Sequence, residues 1–240
     1  MIAKKIWRLL GPIILISSVA AGCSINETDL EEVKGAGLTY SEYFKSYDGL
    51  DERENIHYYK PISLSDGESS LLNNIEERMN LFHSEKLPFH VDEEKAYLVT
   101  SKDEKGKPKD EVQLSYFGST SEEFFIISVT EVDENPLEGY VYADSYDSIG
   151  NQLKKEILTD DLPIYQQIVT TNSALLYSYY DYDETNNRID TVGTAANEMY
   201  AYYNKCIYHI GYLIDQEKNT EEMQERMLHL AREYILGSHL

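Results

Sequence analysis

Residues 198–214 read EMYAYYNKCIYHIGYLI, and this stretch decides the fold. Two runs rich in aromatic and β-branched residues are separated only by Asn204 and Lys205, which is typical of a tight β-hairpin. In the second run, Cys206 and every second residue through Ile214 would lie on one face of a strand. The stretch therefore predicts two antiparallel strands near the C-terminus.

An amphipathic helix is predicted directly after this hairpin. It begins at Asn219, with Glu222 placed to complete a capping box. Its apolar residues recur three and four positions apart, and they are Met223, Met227, Leu230, Ala231, Tyr234 and Ile235. Such a stripe is suited to lie across one face of a sheet.

Several short runs upstream predict further strands. Residues 96–100 and 112–117 flank a polar loop and together predict a hairpin. Phe124–Thr130 begins with four consecutive apolar residues, which predicts a central strand covered on both faces. The remaining predicted strands cover residues 140–143, 152–158, 164–169 and 175–183.

A further helix is predicted before these strands, over Ser69–His83. Its apolar residues recur at spacings of three and four, and Leu87-Pro88-Phe89 follows as a stop signal. The order of elements predicts the α+β class: an antiparallel β-sheet with a helix before it and a C-terminal helix packed on one face.

The first 22 residues have the composition of a secretory signal. Lys4, Lys5 and Arg8 precede a short apolar stretch, and small residues lead to Cys23. This order resembles the lipobox of bacterial lipoproteins. The resemblance implies cleavage after Gly22 and a diacylglycerol on the Cys23 thiol, with palmitate among the acyl chains. A transmembrane anchor would need about 20 predominantly apolar residues, more than this stretch offers.

These features divide the chain into three predicted parts. Residues 1–22 form the lipoprotein signal peptide, residues 23–37 a polar tether, and residues 38–240 a single extracytoplasmic domain. Cys206 is the only cysteine besides Cys23. Lipidation of Cys23 would therefore leave no intramolecular disulfide, and the domain must be stabilised by its core.

The chain is strongly acidic, with a formal net charge of −22. Phosphate backbones need Lys and Arg to replace their counterions, so nucleic acid is excluded as a predicted partner. Anionic headgroups would also repel this surface, which leaves the lipid on Cys23 as the predicted membrane contact. The predicted location is the extracytoplasmic face of the cell membrane.

Catalytic and metal-binding signatures are weak. The chain has no Gly-x-Ser-x-Gly elbow, no Ser-x-x-Lys and no phosphate-binding glycine loop. His229 and Glu233 lie at i, i+4 on the predicted helix and are interpreted as a surface pair. Asp181–Asn187 begins like a calcium loop but lacks its glycine, and is interpreted as an Asx-rich turn. We therefore predict no catalytic residue, no metal site and no cofactor.

Tyrosine is the compositional outlier, at 21 of 240 residues. Clusters that include Tyr177, Tyr179, Tyr200 and Tyr202 could line a binding surface for a glycan or a peptide, since tyrosine gives large, rigid contacts. The alternative is that these rings cover a sheet face under the closing helix.

Three segments together resemble a small extracytoplasmic domain of unknown function, found in lipoproteins and membrane-anchored proteins of Bacillus-like bacteria. They are residues 76–91, 112–117 and 206–236, and the resemblance spans about residues 70–236. It implies an α+β envelope domain and assigns no catalytic residue. The predicted function is a non-enzymatic binding or interaction domain for an envelope protein, peptide or glycan. An envelope hydrolase with a dispersed active site and a carrier of lipid or small solutes stay open as alternatives.

Overall fold

The computed structural model describes residues 30–37, 54–64, 82–103, 105–119, 123–132, 134–138, 145–146, 150–159, 161–169, 177–215 and 217–237. Within these residues the protein is mostly β, with one large sheet and one C-terminal α-helix. The strands are β1 (Glu32–Gly35), β2 (Glu54–Tyr59), β3 (Ile62–Ser63), β4 (Val91–Lys102), β5 (Glu111–Gly118), β6 (Phe124–Glu131), β7 (Ser145–Tyr146), β8 (Gln152–Thr159), β9 (Leu162–Ile168), β10 (Tyr177–Asp183), β11 (Arg188–Thr194), β12 (Asn197–Tyr203) and β13 (Cys206–Leu213). The helix α1 spans Glu221–Leu236, and a single 3-10 turn spans Ser84–Lys86.

Twelve strands form a continuous sheet in the order β10–β11–β1–β2–β4–β5–β6–β13–β12–β9–β8–β7, and β3 pairs with β4 beside β2. Neighbours are antiparallel except β1 and β11, which run parallel. The hairpin predicted from residues 198–214 is confirmed as β12 and β13. Asn204 and Lys205 both have positive φ, as a two-residue turn needs to match the twist of its strands.

The helix α1 covers one face of the central strands, which we call the helix face. Its N-cap is Thr220, whose Oγ1 accepts a hydrogen bond from the Met223 backbone N–H at 3.3 Å. The predicted start at Asn219, with a capping box through Glu222, is wrong by one residue. The predicted stripe is confirmed in large part, since the buried residues of α1 are Met227, Leu230, Ala231, Tyr234, Ile235 and Leu236.

Alternation along the strands supplies the apolar core of the helix face. Leu98, Leu114, Ile127 and Ile210 come from four adjacent strands and pack with the buried side of α1. All four are at most 1 % exposed. Because β4, β5, β6 and β13 are covered on both faces, the prediction of a doubly covered central strand at Phe124–Thr130 is confirmed.

The predicted class needs correction, because no helix precedes the sheet in the described part of the chain. The helix predicted over Ser69–His83 falls outside the described residues except for Phe82 and His83, which are not helical. Phe82 packs on the helix face, with its ring centroid 5.1 Å from that of Phe125. In the described residues the protein is therefore mostly β, since the sheet supplies all of the regular structure except α1 and one 3-10 turn. The strand predicted at residues 140–143 also lies outside the described residues.

The opposite face of the central strands is covered by the hairpin of β10 and β11. The side chain of Gln113 on β5 makes two hydrogen bonds with the backbone of Tyr180. Nε2 donates to the carbonyl oxygen at 2.9 Å, and Oε1 accepts from the N–H at 2.8 Å. The N–H and the carbonyl group of Tyr180 therefore both point down at the side chain of Gln113. Strand β10 stands with its hydrogen-bonding edge toward the sheet. One side of β10 then packs on Tyr58 and Tyr97, and the other side packs on Phe124.

The strand β1 lies within the stretch predicted to be a tether. Glu32 and Val33 pair with β2, while Lys34 and Gly35 pair with β11. Val33 is 7 % exposed and joins the core beneath the hairpin. The folded part of the chain therefore includes residues that composition alone placed in the polar leader.

Candidate functional site

A buried polar layer lies between the sheet and the hairpin, and we call this side of the sheet the polar face. Its polar side chains are Glu111, Gln113, Ser115, Ser128, Thr130, Glu198 and His209, each at most 5 % exposed. Alternation explains the layer, because the neighbouring residues along each strand point to the apolar helix face. Buried polar groups are costly unless they are hydrogen-bonded, so such a layer marks a candidate site.

The centre of the polar face is a contact between Glu198 and His209. Nε2 of His209 lies 2.9 Å from Oε2 of Glu198. The Tyr200 hydroxyl donates to the same carboxylate oxygen. Strand register explains the grouping, since Tyr200 lies directly opposite His209 and Glu198 lies two residues away on the same face. The rings of Tyr200 and His209 stack with centroids 4.5 Å apart and planes 5° apart.

Tyr177 covers this pair from the hairpin. Its ring centroid lies 4.8 Å from that of His209, in an edge-on arrangement. The ring also lies flat on Gly211, where a Cβ atom would come within 2.2–2.5 Å of ring carbons. Burial, followed by the nearby charges of Glu198 and Glu111, raises the pKa of Tyr177 well above its ordinary value. The phenol is therefore neutral in the folded protein.

The other predicted tyrosines lie at the two ends of the same face. Tyr179 packs on Phe117 and Phe124, with both ring centroids at 5.8 Å. Tyr202 joins a separate cluster formed by Val132, Leu137, Tyr165 and Ile207. Tyr179 packs on Phe124, which pairs with Leu213 on β13, whereas Tyr202 pairs with Ile207 on the same strand. At about 3.3 Å per residue along β13, the two ends lie roughly 20 Å apart.

We call Tyr177, Tyr179, Tyr200 and Tyr202 the tyrosine strip. The structure brings all four to the polar face, so they do not lie under the closing helix as the alternative interpretation expected. Tyr177 is fully buried, whereas Tyr179, Tyr200 and Tyr202 are half-buried. Only these three present surface to a partner in this arrangement, and the binding role itself stays a prediction.

A second polar contact was missed by sequence reasoning. The Tyr180 hydroxyl donates to Oε2 of Glu111 at 2.8 Å, and both residues are fully buried. With the two Gln113 bonds, this contact ties the hairpin to β5. Alternation in Val112–Phe117 predicts that Gln113 and Ser115 lie on the other face of the strand from its apolar residues. No local pattern in the sequence predicts that Gln113 bonds to Tyr180, which lies 67 residues away.

The contact between Glu198 and His209 is closed to solvent. His209 is 5 % exposed and Glu198 is 3 % exposed. A substrate cannot reach either group while the hairpin is in place. In this conformation the pair orients Tyr200, because His209 stacks on its ring and Glu198 accepts a hydrogen bond from its hydroxyl.

The candidate metal ligands behave as surface groups. Nδ1 of His229 lies 3.6 Å from Oε1 of Glu233, and both side chains are exposed. Lys86 also binds Glu233, at 2.6 Å, and lowers the pKa of that carboxyl. Across the described ranges, no group of three His, Cys, Asp or Glu side chains is placed to hold a metal ion.

The turn at residues 184–187 is an Asx-rich turn, as predicted. Oδ1 of Asp183 accepts from the backbone N–H groups of Thr185 and Asn186 at 3.0 and 3.1 Å. The Asn186 side chain donates to the other carboxylate oxygen. These bonds, with the Asn186 side chain as the largest cause, lower the pKa of Asp183. The carboxylate thus closes the β10–β11 turn.

A shallow cleft lies on the other side of the sheet, between the first turns of α1 and the strands β8 and β9. Its volume is about 170 Å³, and Lys154, Glu156, Glu221 and Glu225 are among the residues that line it. The cleft places three carboxylates around one lysine, and this arrangement does not indicate which class of ligand would bind there.

The predicted lipidation residue Cys23 and the cleavage position Gly22 lie outside the described residues. None of the helices in the part of the chain that the structure describes is both long and apolar enough to span a membrane. The lipid anchor therefore stays a prediction.

No family model, no curated protein and no solved structure matches this chain. The resemblances to bacterial lipoproteins and to an extracytoplasmic envelope domain stay predictions.

Proposed function

We propose that this chain is a lipid-anchored extracytoplasmic protein whose domain binds a protein, peptide or glycan of the cell envelope without catalysing a reaction. The tyrosine strip carries the binding half of the proposal, and the sequence around Cys23 carries the anchoring half. The hydrolase and carrier alternatives stay predictions, because no specific observation in the described residues favours either.

The half-buried members of the strip support binding. Tyr179, Tyr200 and Tyr202 each combine an apolar ring packed on the sheet with a surface that remains accessible. Side chains of this kind give contact area at little entropic cost and are enriched at interfaces. Tyr200 is further immobilised by His209 and Glu198. A pre-oriented ring loses less freedom when a partner binds.

A lysine lies at one end of the strip. Nζ of Lys155 lies 5.6 Å from the ring centroid of Tyr165, in a cation–π contact. Tyr165 is directly opposite Tyr200 in the strand register. This contact places a cation beside the aromatic rings next to the strip.

The position of Cys23 in the chain sets how far from the membrane the proposed anchor would hold the fold. The strand β1 begins nine residues after Cys23. At about 3.3–3.6 Å per extended residue, that segment spans at most about 30 Å. A lipid on Cys23 would therefore hold the sheet close to the membrane surface.

Photo-crosslinking in cells tests the binding half. We expect a photoreactive phenylalanine derivative at position 202 to give a discrete adduct, at least tenfold stronger than the same group at position 146. Tyr146 is the matched control, because it is 67 % exposed and lies on β7, away from the strip. Equal adducts at both positions, or none at position 202, would contradict a binding role for the strip.

Metabolic labelling tests the anchoring half. We expect the wild-type chain to take up a fatty-acid label and to sediment with membranes, and Cys23→Ala to lose the label. Cys206→Ala is the control and should keep it, because that residue lies on β13 within the folded domain. Labelling that survives Cys23→Ala would overturn the anchor.

A further inference from the structure

The hairpin of β10 and β11 is joined to the rest of the sheet by a very short strand. In the described residues, β1 is the only strand besides β10 that pairs with β11, and the pairing covers two residues. Lys34 lies opposite Arg188, and Gly35 lies opposite Ile189. The central strand β13, in contrast, pairs with β6 along its whole length.

Three further contacts hold β1 and the residues after it in place. The Thr191 hydroxyl on β11 donates to the carbonyl oxygen of Ala36 at 2.9 Å. The Tyr58 hydroxyl on β2 donates to the carbonyl oxygen of Gly37. The Tyr58 ring lies directly on Gly35, where a Cβ atom would come within 2.3–2.6 Å of ring carbons. Residues 32–37 thus bridge β2 and the hairpin.

The surface beneath the hairpin buries more ionisable side chains than the helix face does. It contains the ionisable side chains of Glu111, Glu198 and His209. The hydroxyls of Tyr177 and Ser128 are also buried there. Water would hydrate these groups when the hairpin opens, which offsets part of the lost packing.

We propose that residues 32–37 act as a clip that holds the β10–β11 hairpin closed, and that release of this clip opens the hairpin as one unit. Opening would expose the Glu198–His209 pair and Tyr177, and would extend the tyrosine strip into an accessible groove. Opening would also break the hydrogen bonds that join Tyr180 to Gln113 and Glu111. Local opening below the global unfolding energy is a general property of proteins. The use of the opened groove as a binding surface rests on the proposed function, but the clip itself does not.

A reversible disulfide across the clip tests the proposal. Lys34→Cys and Arg188→Cys place two exposed residues at a directly paired position, within the reach of a disulfide. The full-length chain would also carry Cys23→Ala, so that Cys206 is the only other thiol. The disulfide experiment does not depend on lipidation. A negative result would therefore contradict the clip without bearing on the proposed anchor.

Hydrogen exchange followed by mass spectrometry is the readout. With the thiols reduced, we expect amides of residues 177–194 to exchange at least tenfold faster than those of residues 206–213. Oxidation should slow exchange at residues 177–194 at least tenfold and change residues 206–213 less than twofold. An equal effect on both segments, or no effect on the hairpin, would overturn the proposal.

A second variant keeps the test decisive if the disulfide does not form. Gly35→Ala forces a methyl group into the Tyr58 ring and should weaken the clip. We expect at least tenfold faster exchange at residues 177–194, with residues 206–213 changed less than twofold. Faster exchange throughout the sheet would show that β1 is inseparable from the global fold, and would also overturn the proposal.

Discussion

Replacing Gly211 with alanine should lower the free energy of unfolding by about 3 kcal/mol or more. The new Cβ would lie 2.2–2.5 Å from carbons of the Tyr177 ring, far inside contact distance. Tyr177 is fully buried between β6, β13 and the hairpin, so the ring has no free space to enter. Forcing extra atoms into a packed core typically costs about 1–3 kcal/mol, and more where no side chain can yield.

Urea unfolding of the single and double variants measures this effect. Tyr177→Ala alone should cost about 3–5 kcal/mol, as expected for a large buried aromatic residue. With Tyr177→Ala already present, Gly211→Ala should cost much less, because the ring that it strikes is gone. A coupling energy of at least about 1 kcal/mol is therefore expected between two residues in direct contact. Additive effects of the two substitutions would contradict the close packing of this ring on Gly211.

Gln113→Leu should destabilise the protein by about 2–5 kcal/mol. The substitution keeps the approximate shape of the side chain but removes both hydrogen bonds to Tyr180. The Tyr180 N–H and carbonyl oxygen then stay buried without these partners, and each unpaired group costs about 1–3 kcal/mol. The full burial of both Gln113 and Tyr180 keeps water from replacing the lost bonds.

A second glutamine, Gln152, serves as a control for the loss of a polar amide as such. Gln152 on β8 lies in the same sheet, but its side chain is only half-buried. Gln152→Leu should change the free energy of unfolding by no more than about 0.5 kcal/mol, as for most surface substitutions. Similar losses in the two variants, measured in urea, would show that the Gln113 amide does not tie the hairpin down.

Local patterns predicted the central strands and the closing helix well. Alternation in Val112–Phe117 and the two-residue turn at Asn204 and Lys205 report the geometry of the strands that carry them. Spacings of three and four do the same for the buried side of α1. These signals are reliable because one buried face imposes its period on contiguous residues.

Composition misled where a short element depends on distant partners. Residues 32–35 are polar and glycine-bearing, a composition that predicts a tether. They form β1 because two strands that lie far apart in the chain, β2 and β11, meet on either side of them. Four residues carry too little periodicity to predict such a strand.

The candidate site was predictable only in part. The enrichment in tyrosine pointed to Tyr177, Tyr179, Tyr200 and Tyr202, and the structure places all four on one side of the sheet. His209, which contacts Tyr177 and Tyr200, was not selected, since an isolated histidine in a strand carries no signal of its neighbours. Strand register is what sets Tyr200 opposite His209.

The amino-acid sequence by itself determined the hairpin of β12 and β13, the alternation of the central strands and the apolar stripe of α1, because each depends on residues adjacent along the chain. Tertiary structure alone decided that β10 stands edge-on above β5, that Gln113 substitutes for a pairing strand, and that Glu198 and His209 are buried together. Each of these contacts joins residues whose proximity is set by the order and register of strands. Sheet order is a property of the whole chain, and no local period encodes it.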